Sequence, residues 1–173
     1  MEFKGKQILI VRGDIENPII LGNGDKYDST LILSDSNLKT LFVSGKVNTD
    51  HTSSYRGGII AEGSYFAICG IREKNNGKAL WLYNKEYGVV KRKEDLPEEA
   101  FILKSLVPNP NHGGKLIITY VLIHKGGWKW DWSHGCITIL DKDFNQFISY
   151  FDIGEVAEVT LRRGAFWKFK EVS

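Results

Sequence analysis

Short apolar runs broken by turn-forming sequences are the feature that most limits how this chain can fold. Runs rich in β-branched and aromatic residues occupy positions 7–11, 30–33, 40–43, 65–69 and 79–83. Glycine, asparagine and aspartate separate them, and Asn76-Gly77 is the strongest hairpin signal. This rhythm predicts a mainly β single domain, a mostly antiparallel sandwich or barrel-like sheet, rather than alternating βαβ units.

One short helix is expected after position 140, where Asp141 and Asp143 can cap it. Its apolar positions recur at helical spacing: Phe144, Phe147, Ile148 and Phe151. We expect this stripe to pack against the sheet rather than to bind a ligand. The acidic segment 93–100 is expected to hold a helical turn, and the proline-containing segment 107–114 is expected to be a loop.

Residues 121–140 carry a histidine and a cysteine on either side of a short loop rich in glycine and tryptophan. Strand-like runs at 115–124 and 136–140 flank the loop, so His124 closes one strand and Cys136 opens the next, 12 positions later. Glycines at 126, 127 and 135 allow the loop to fold back. We therefore expect the imidazole and the thiol to meet.

A Cys–His pair in contact is the minimum device for nucleophilic acyl transfer, because the imidazole takes the proton and the thiolate attacks carbonyls. The Ser133-His134-Gly135 turn is expected to point backbone N–H groups at a developing oxyanion. Two other interpretations remain open from the residues alone. Cys136 can be a packing residue of the core, or His124, His134 and Cys136, with His112, can bind zinc, although the spacing fits no standard zinc pattern.

At these residues the chain resembles a divergent member of the L,D-transpeptidase catalytic-domain (YkuD-type) family, bacterial enzymes that remodel peptidoglycan. The family signature is an Ile-His-Gly-like segment at a strand end, a variable loop, and Ser-His-Gly-Cys followed by an aliphatic residue. Here Ile123-His124 is followed by residues 125–132 and by Ser133-His134-Gly135-Cys136-Ile137. A weaker similarity extends over 55–164, with 57–65 entering an early strand, 141–152 as a helix and 158–164 as the closing strand.

The resemblance implies that Cys136 is the nucleophile and His124 its base, with the ring oriented through its other nitrogen by a backbone carbonyl. It implies that His134 shapes the site and that N–H groups near Gly135 and Cys136 hold the oxyanion. The reaction implied is attack on an L-to-D bond of a peptidoglycan stem peptide, followed by transfer to an amine or to water, without a cofactor. Two features depart from the family: Thr138 stands where Arg or Asn is usual, and the loop is short.

Four residues are candidates for substrate contact: Ser133, Lys125, Trp128 and Trp130. The tryptophans alternate along the loop, so they can share one face and stack on a substrate, or they can anchor the loop. The lysine suits a substrate carboxylate or simple solvation. An alternative function is a non-catalytic cell-wall-binding module, associated with phage or secretion, whose Cys–His pair is vestigial. A zinc hydrolase is the third hypothesis.

Charge and length limit the possible partners and the number of domains. The 23 Lys and Arg against 21 Asp and Glu do not indicate a nucleic-acid partner. The 173 residues suit one domain, with 1–54 supplying N-terminal strands and 55–164 the family-like core. Cys69 and Cys136 are expected to be free thiols, because a disulfide would disarm the nucleophile.

The N-terminal residues lack the features of a secretory signal, and no run has membrane-spanning length. Peptidoglycan nevertheless lies outside the cytoplasm. Three alternatives remain open from the sequence: the chain begins at a mature start, a secretion machine or phage lysis delivers it, or its substrate is cytoplasmic.

Overall fold

Eight strands close into a barrel in the computed structural model of this chain. The structure describes residues 3–51, 57–73, 77–131 and 133–164. The strands are β1 (Lys6–Arg12), β2 (Ile19–Ile20), β3 (Lys26–Tyr27), β4 (Ser29–Ser34), β5 (Thr40–Asn48), β6 (Gly63–Arg72), β7 (Gly77–Tyr83), β8 (Ile102–Asn109), β9 (Lys115–Thr119), β10 (Leu122–Gly126), β11 (Ile137–Leu140) and β12 (Val156–Arg163). The one α-helix among these residues is α1 (Asp141–Ile148), and 3-10 turns lie at Lys85–Tyr87, Lys93–Asp95, Glu98–Phe101 and Pro110–His112.

The barrel has the strand order β1-β12-β6-β7-β10-β11-β5-β4 and closes where β4 pairs with β1. The pairs β1–β12 and β10–β11 are parallel, and the other barrel pairs are antiparallel. Two-stranded ribbons β2–β3 and β8–β9 lie outside the barrel. The predicted mainly β fold, with a barrel-like sheet and one short helix after Cys136, is confirmed for the described residues.

Alternating side chains fill the barrel because successive residues of a strand point to opposite faces. In β4, Leu31 and Leu33 point inward and are fully buried, as Ile137 and Ile139 do in β11. The aromatic stripe of α1 packs into the same core, where the rings of Phe42 and Phe147 lie 5.7 Å apart. The predicted packing role of that stripe is confirmed.

A second apolar cluster covers part of the outer surface of the barrel, and we call it the outer cluster. Strands β6 and β7 are buried on both faces, which explains why their sequences read as nearly continuous apolar runs. The segment that contains the turns at Lys93–Asp95 and Glu98–Phe101 packs onto their outer face. The outer cluster comprises Phe66, Ile68, Ala79, Trp81, Tyr83, Leu96, Ala100, Phe101, Leu122 and Val156.

The run 115–124, expected to be one strand, is in fact two strands in different sheets. β9 pairs with β8 in a ribbon, whereas β10 enters the barrel beside β7 and β11. Between them Tyr120 adopts a φ of 53°, a left-handed conformation that ends the strand. An apolar β-branched pattern cannot report such a break, so the expectation of a continuous strand was wrong.

Two other boundaries also differ from expectation. The helix predicted over 141–152 ends at Ile148, because i→i+3 bonds from Tyr150 N to Phe147 O and from Phe151 N to Ile148 O close its last turn. The segment 107–114 was expected to be a loop, but β8 continues to Asn109 before a 3-10 turn. The predicted pairing of the strands around Asn76-Gly77 is present as β6–β7, and Asn76 itself lies outside the described residues.

None of the helices in the described ranges combines the length and the apolar character that crossing a membrane requires.

Candidate active site

Cys136 lies at the end of a tight turn, immediately before β11. Its backbone N–H donates to Ser133 Oγ over 2.8 Å. Gly135 has a φ of 115°, and a Cβ there would lie 2.5 Å from Ile118 Cδ1 and 2.9 Å from Gly58 O. Only glycine fits that position, so the Ser-Gly-Cys part of the motif has a clear structural basis.

The thiol of Cys136 points to the outer face of the barrel, where it packs against the outer cluster. Leu122 N donates to Sγ over 3.5 Å, and Sγ lies 3.9 Å from Tyr120 O. Burial raises the pKa of the Cys136 thiol above its usual value, and the hydrogen bonds from Leu122 and Ser133 oppose this only in part. The resting side chain is therefore a protonated thiol at neutral pH, and it needs a base to become a nucleophile.

His124 lies on the adjacent parallel strand and faces the same side as Cys136. In the register of β10 and β11, Ile123 pairs with Ile137 inside the barrel, so His124 and Cys136 both point outward. They are diagonal neighbours on that face, an arrangement that stays within reach of long side chains. The register places both groups on one face of the sheet, and their direct contact stays a prediction.

The ring of His124 is oriented by the main chain. His124 Nδ1 lies 2.9 Å from Lys125 O, and because a carbonyl only accepts, Nδ1 carries the hydrogen. In the neutral ring this leaves Nε2 as the basic nitrogen. This carbonyl contact is of the kind that the family resemblance implies.

The remaining candidates of the turn contribute mainly through their backbones. His134 is exposed, and its main chain packs so closely on Gly57 that a Cβ at Gly57 would lie 2.1 Å from His134 O. Ser133 is buried, and its hydroxyl supports the turn through the bond to Cys136 N. The Cys136 amide, expected to hold an oxyanion, is thus already engaged and must exchange partners to do so.

The candidate substrate residues of the loop lie at the surface. Lys125 is exposed, and Trp128 and Trp130 are 72% and 49% exposed, so both rings are available for stacking. Trp132, expected to share their face, lies outside the described residues. Beside His124 a cavity of about 210 Å³ is lined by residues that include Arg72, Lys78 and Lys125. Its cationic rim suits a carboxylate.

A buried polar cluster two residues beyond the cysteine was not expected from the sequence. Thr138 is fully buried and donates from Oγ1 to Asp131 Oδ2 over 2.6 Å. Its Oγ1 also lies 3.2 Å from His51 Nε2, while His51 Nδ1 lies 3.2 Å from Asp25 Oδ2 and 3.0 Å from Asn48 Nδ2. We call these five residues the acid–histidine cluster. Burial raises the pKa of Asp131, and His51 opposes the rise.

The acid–histidine cluster explains why a threonine stands at position 138 in place of the Arg or Asn usual in the family that the chain resembles. Little in the local sequence predicts the cluster. His51 lies in a polar stretch and bonds across 87 positions of sequence to Thr138. A polar residue at the outward position of a buried strand was the one available hint, since Thr138 follows Cys136 on the same face.

The N-terminal strands also hold the loop between His124 and Cys136. Asn23 Nδ2 donates to Asp131 O, Tyr27 OH donates to Gly127 O, and Gly22 N donates to Lys129 O over 3.0 Å. The Asn23 and Tyr27 bonds attach the loop to residues 108 and 100 positions earlier in the chain. The N-terminal strands therefore contribute directly to the geometry around the cysteine.

The predicted zinc set of His124, His134 and Cys136 does not assemble among the described residues. The group of metal-type ligand atoms that lie within 4.8 Å of one another is Asp25, His51 and Asp131. His134 is exposed on the turn, and the parallel register holds His124 and Cys136 on a diagonal. Both cysteines are free thiols, as expected.

Comparison of the chain with protein-family models, with curated proteins and with solved structures gave no match.

Proposed function

We propose that this chain performs cysteine-dependent acyl transfer on peptidoglycan stem peptides, with Cys136 as nucleophile and His124 as base. The observation that carries the proposal is the shared outer face of two adjacent parallel strands. Cys136 immediately precedes β11 there, and His124 lies on β10 with its Nδ1 bonded to Lys125 O. Resemblance of the Ile-His and Ser-His-Gly-Cys segments to the L,D-transpeptidases supports the same assignment.

The proton path follows from the tautomer of His124. Nε2 takes the proton from Cys136 Sγ, and the thiolate attacks the carbonyl carbon of an L-to-D peptide bond. The tetrahedral intermediate collapses to a thioester as His124 returns the proton to the departing amine. An amine of a second stem peptide or a water molecule then releases the acyl group and restores the thiol.

In the proposed reaction His124 Nε2 and Cys136 Sγ come into hydrogen-bond contact when the substrate binds. Catalytic hydrogen bonds are often long in a substrate-free enzyme and shorten in the Michaelis complex. The raised pKa of the Cys136 thiol agrees with this, because a thiol that remains protonated until substrate and base close around it is protected from oxidation.

The surroundings of His124 support a peptide substrate that carries carboxylates. The cavity lined by Arg72, Lys78 and Lys125 places cationic groups beside the base. Lys78 also donates to Phe151 O over 2.6 Å, which orders its side chain. Trp128 and Trp130 offer exposed rings for the sugar or peptide portion.

Acylation by a carbapenem tests the proposal directly, because this β-lactam class acylates the cysteine of the family that the chain resembles. Wild type, Cys136→Ala and Cys69→Ala are incubated with the reagent and their intact masses are measured. We expect one adduct on wild type and on Cys69→Ala, and none on Cys136→Ala. An unmodified wild type, or an adduct that persists in Cys136→Ala, contradicts the proposal.

Turnover provides the second test. Purified stem peptides are incubated with wild type, Cys136→Ala, His124→Ala and the control His112→Ala, and products are separated by mass. Loss of turnover is expected in the first two variants only, with circular dichroism confirming that they fold. Retained turnover in folded Cys136→Ala would exclude cysteine catalysis.

A non-catalytic cell-wall-binding module is the second candidate, and two observations favour it. Trp128 and Trp130 are exposed, and the Cys136 thiol has a raised rather than a lowered pKa. Such a module predicts co-sedimentation with purified peptidoglycan that survives Cys136→Ala and is lost in Trp128→Ala, with no carbapenem adduct on wild type.

A further inference from the structure

We propose that Asp25, His51 and Asp131 form a binding site for one divalent cation of the zinc type, which fastens the cysteine loop to the N-terminal strands. This site is separate from Cys136 and does not depend on the proposed acyl transfer. Asp25 precedes β3, His51 follows β5, and Asp131 lies in the loop between β10 and β11. An ion there would join three segments that are distant in sequence.

The ligand atoms already have the spacing of a small coordination polyhedron. Asp25 Oδ2, His51 Nδ1 and Asp131 Oδ2 lie within 4.8 Å of one another. His51 Nδ1 is 3.2 Å from the Asp25 oxygen and 3.5 Å from the Asp131 oxygen. Tetrahedral zinc, with bonds of about 2.0–2.1 Å, separates its ligands by about 3.3 Å. The two distances from His51 Nδ1 are therefore already close to the separation that zinc ligands adopt.

The hydrogen bond of Thr138 determines the tautomer of a neutral His51. The tautomer in turn determines which ring nitrogen has a lone pair available for an ion. Thr138 Oγ1 donates its only hydrogen to Asp131 Oδ2 over 2.6 Å. His51 Nε2, 3.2 Å from the same oxygen, must then be the donor of that contact. In the neutral ring Nδ1 is therefore an acceptor 3.2 Å from the acceptor oxygen of Asp25, and a cation between the two atoms relieves the repulsion of their lone pairs.

The opposite side of the imidazole has the support that metal-bound histidines usually have. In such histidines the ring nitrogen that does not bind the metal donates its hydrogen to an oxygen that is itself fixed. Here Nε2 donates to Thr138 Oγ1, and the Thr138 hydroxyl donates to Asp131. Asn48 Nδ2 lies 3.0 Å from His51 Nδ1 and 3.5 Å from Asp131 Oδ2. When an ion occupies Nδ1, this amide moves its hydrogen bond to Asp131.

Burial and ligand type select the ion. The three side chains are at most 2% exposed, and a divalent cation matches the charge of two carboxylates in a site that water does not reach. An imidazole nitrogen with two carboxylate oxygens suits zinc and its neighbours, whereas Mg²⁺ prefers an octahedral shell of oxygens and retained water. Mg²⁺ therefore serves as the negative control in the binding experiment.

The test is zinc titration of the full chain after chelator treatment and removal of the chelator. Calorimetry with ZnCl₂ is expected to show one equivalent bound, with a rise in Tm, and MgCl₂ to show neither. Asp25→Asn keeps the shape of the side chain but removes its charge, and the loss of a ligand is expected to weaken zinc binding by at least the roughly 10–100-fold seen for lost supporting contacts. His112→Gln is the control histidine variant, and its zinc affinity is expected to equal that of wild type.

Two further measurements separate this site from zinc on the cysteine. Cys136→Ser is expected to bind zinc as wild type does, and X-ray absorption at the zinc edge of wild type is expected to show only nitrogen and oxygen neighbours. The proposal is overturned if wild type binds no zinc, if Asp25→Asn binds as tightly as wild type, or if sulfur appears in the zinc shell. The X-ray absorption is measured on wild type, so its result holds even when a variant fails to fold. The carbapenem adduct tests Cys136 independently of the zinc site.

Discussion

Cys136 and Thr138 lie two positions apart on the same outward face of β11, yet their surroundings differ sharply. Cys136 packs half-buried against the apolar outer cluster, and main-chain groups of Tyr120 and Leu122 contact its sulfur. Thr138 is fully buried, and the side chains of His51 and Asp131 contact its hydroxyl. One strand face therefore carries a candidate reactive site beside a polar site that fixes the loop.

Neighbouring positions of one strand thus differ in how far along the sequence their hydrogen-bond partners lie. The hydrogen bonds of Cys136 come from Tyr120, Leu122 and Ser133, which are at most 16 positions away. The environment of Thr138 depends on Asp25 and His51, which the barrel brings together. Disturbing Thr138 should therefore affect the whole fold, whereas disturbing Cys136 should affect chemistry alone.

The largest effect is expected from His51→Ala, measured by urea unfolding in the presence of chelator. The substitution leaves Asp25 and Asp131 buried without the imidazole between them, and breaking a buried charged pair typically costs about 3–5 kcal/mol. His112→Ala is the matched control, because His112 is only partly buried and contacts Thr119 Oγ1 at 3.3 Å. We expect a loss below about 1 kcal/mol there. Equal losses in the two variants would mean that the acid–histidine cluster contributes nothing special.

An intermediate effect is expected from Thr138→Val, which preserves shape but removes the hydroxyl. Asp131 then loses a donor and His51 Nε2 loses an acceptor, and leaving a buried polar group unsatisfied costs about 1–3 kcal/mol. Thr138→Ser retains the hydroxyl and serves as the control, with a smaller loss of about 1 kcal/mol for the missing methyl. A valine variant as stable as the serine variant would show that packing, and not hydrogen bonding, makes threonine suitable here.

The smallest effect on stability is expected from the two thiols, and it appears only at alkaline pH. Burial raises the pKa of Cys69 to about 11 and also raises the pKa of Cys136. Thiols of the unfolded chain deprotonate near pH 8.5, so the folded state keeps its full stability below that pH and loses it as pH rises towards the folded pKa values. Unfolding free energies from pH 7 to 10 should therefore fall in wild type and fall less in Cys69→Ala.

Alkylation of the native protein tests the same pair of thiols for access. Cys136 is half-buried and Cys69 is enclosed in the core, so peptide mapping after iodoacetamide treatment should find modification at Cys136 first. The rate of Cys136 alkylation should increase with pH through the alkaline range, because the raised pKa keeps the thiol protonated at neutral pH. A rate that is already maximal at neutral pH would mean that His124 and Cys136 form a thiolate pair before any substrate binds.

The elements that the sequence predicted well are those with a strong local period. The alternating apolar runs of β4 and β5, the nearly continuous runs of β6 and β7 and the amphipathic α1 each appear where their side-chain pattern indicates. The turn at Gly135 could also be anticipated, because glycine beside a strand start suggests a positive φ.

Other features could not be read from a pattern. The left-handed residue Tyr120 splits an apparently continuous strand, and no local preference of tyrosine predicts that conformation. The parallel register of β10 and β11 set His124 diagonally from Cys136, whereas a short loop suggests a direct encounter. The acid–histidine cluster requires the barrel to close before its members become neighbours.

By itself the sequence determined that the chain forms a mainly β structure with one helix, and that a histidine and a cysteine flank one short loop. Those conclusions depend on side-chain period and on spacing along the chain, which are local quantities. Only the tertiary structure decided that His124 and Cys136 share a face, and that Thr138 lies beside His51 and Asp131 with Asp25 bonded to His51. The physical reason is that strand register and barrel closure bring together groups that are many positions apart, and these contacts leave no periodic signal in the sequence.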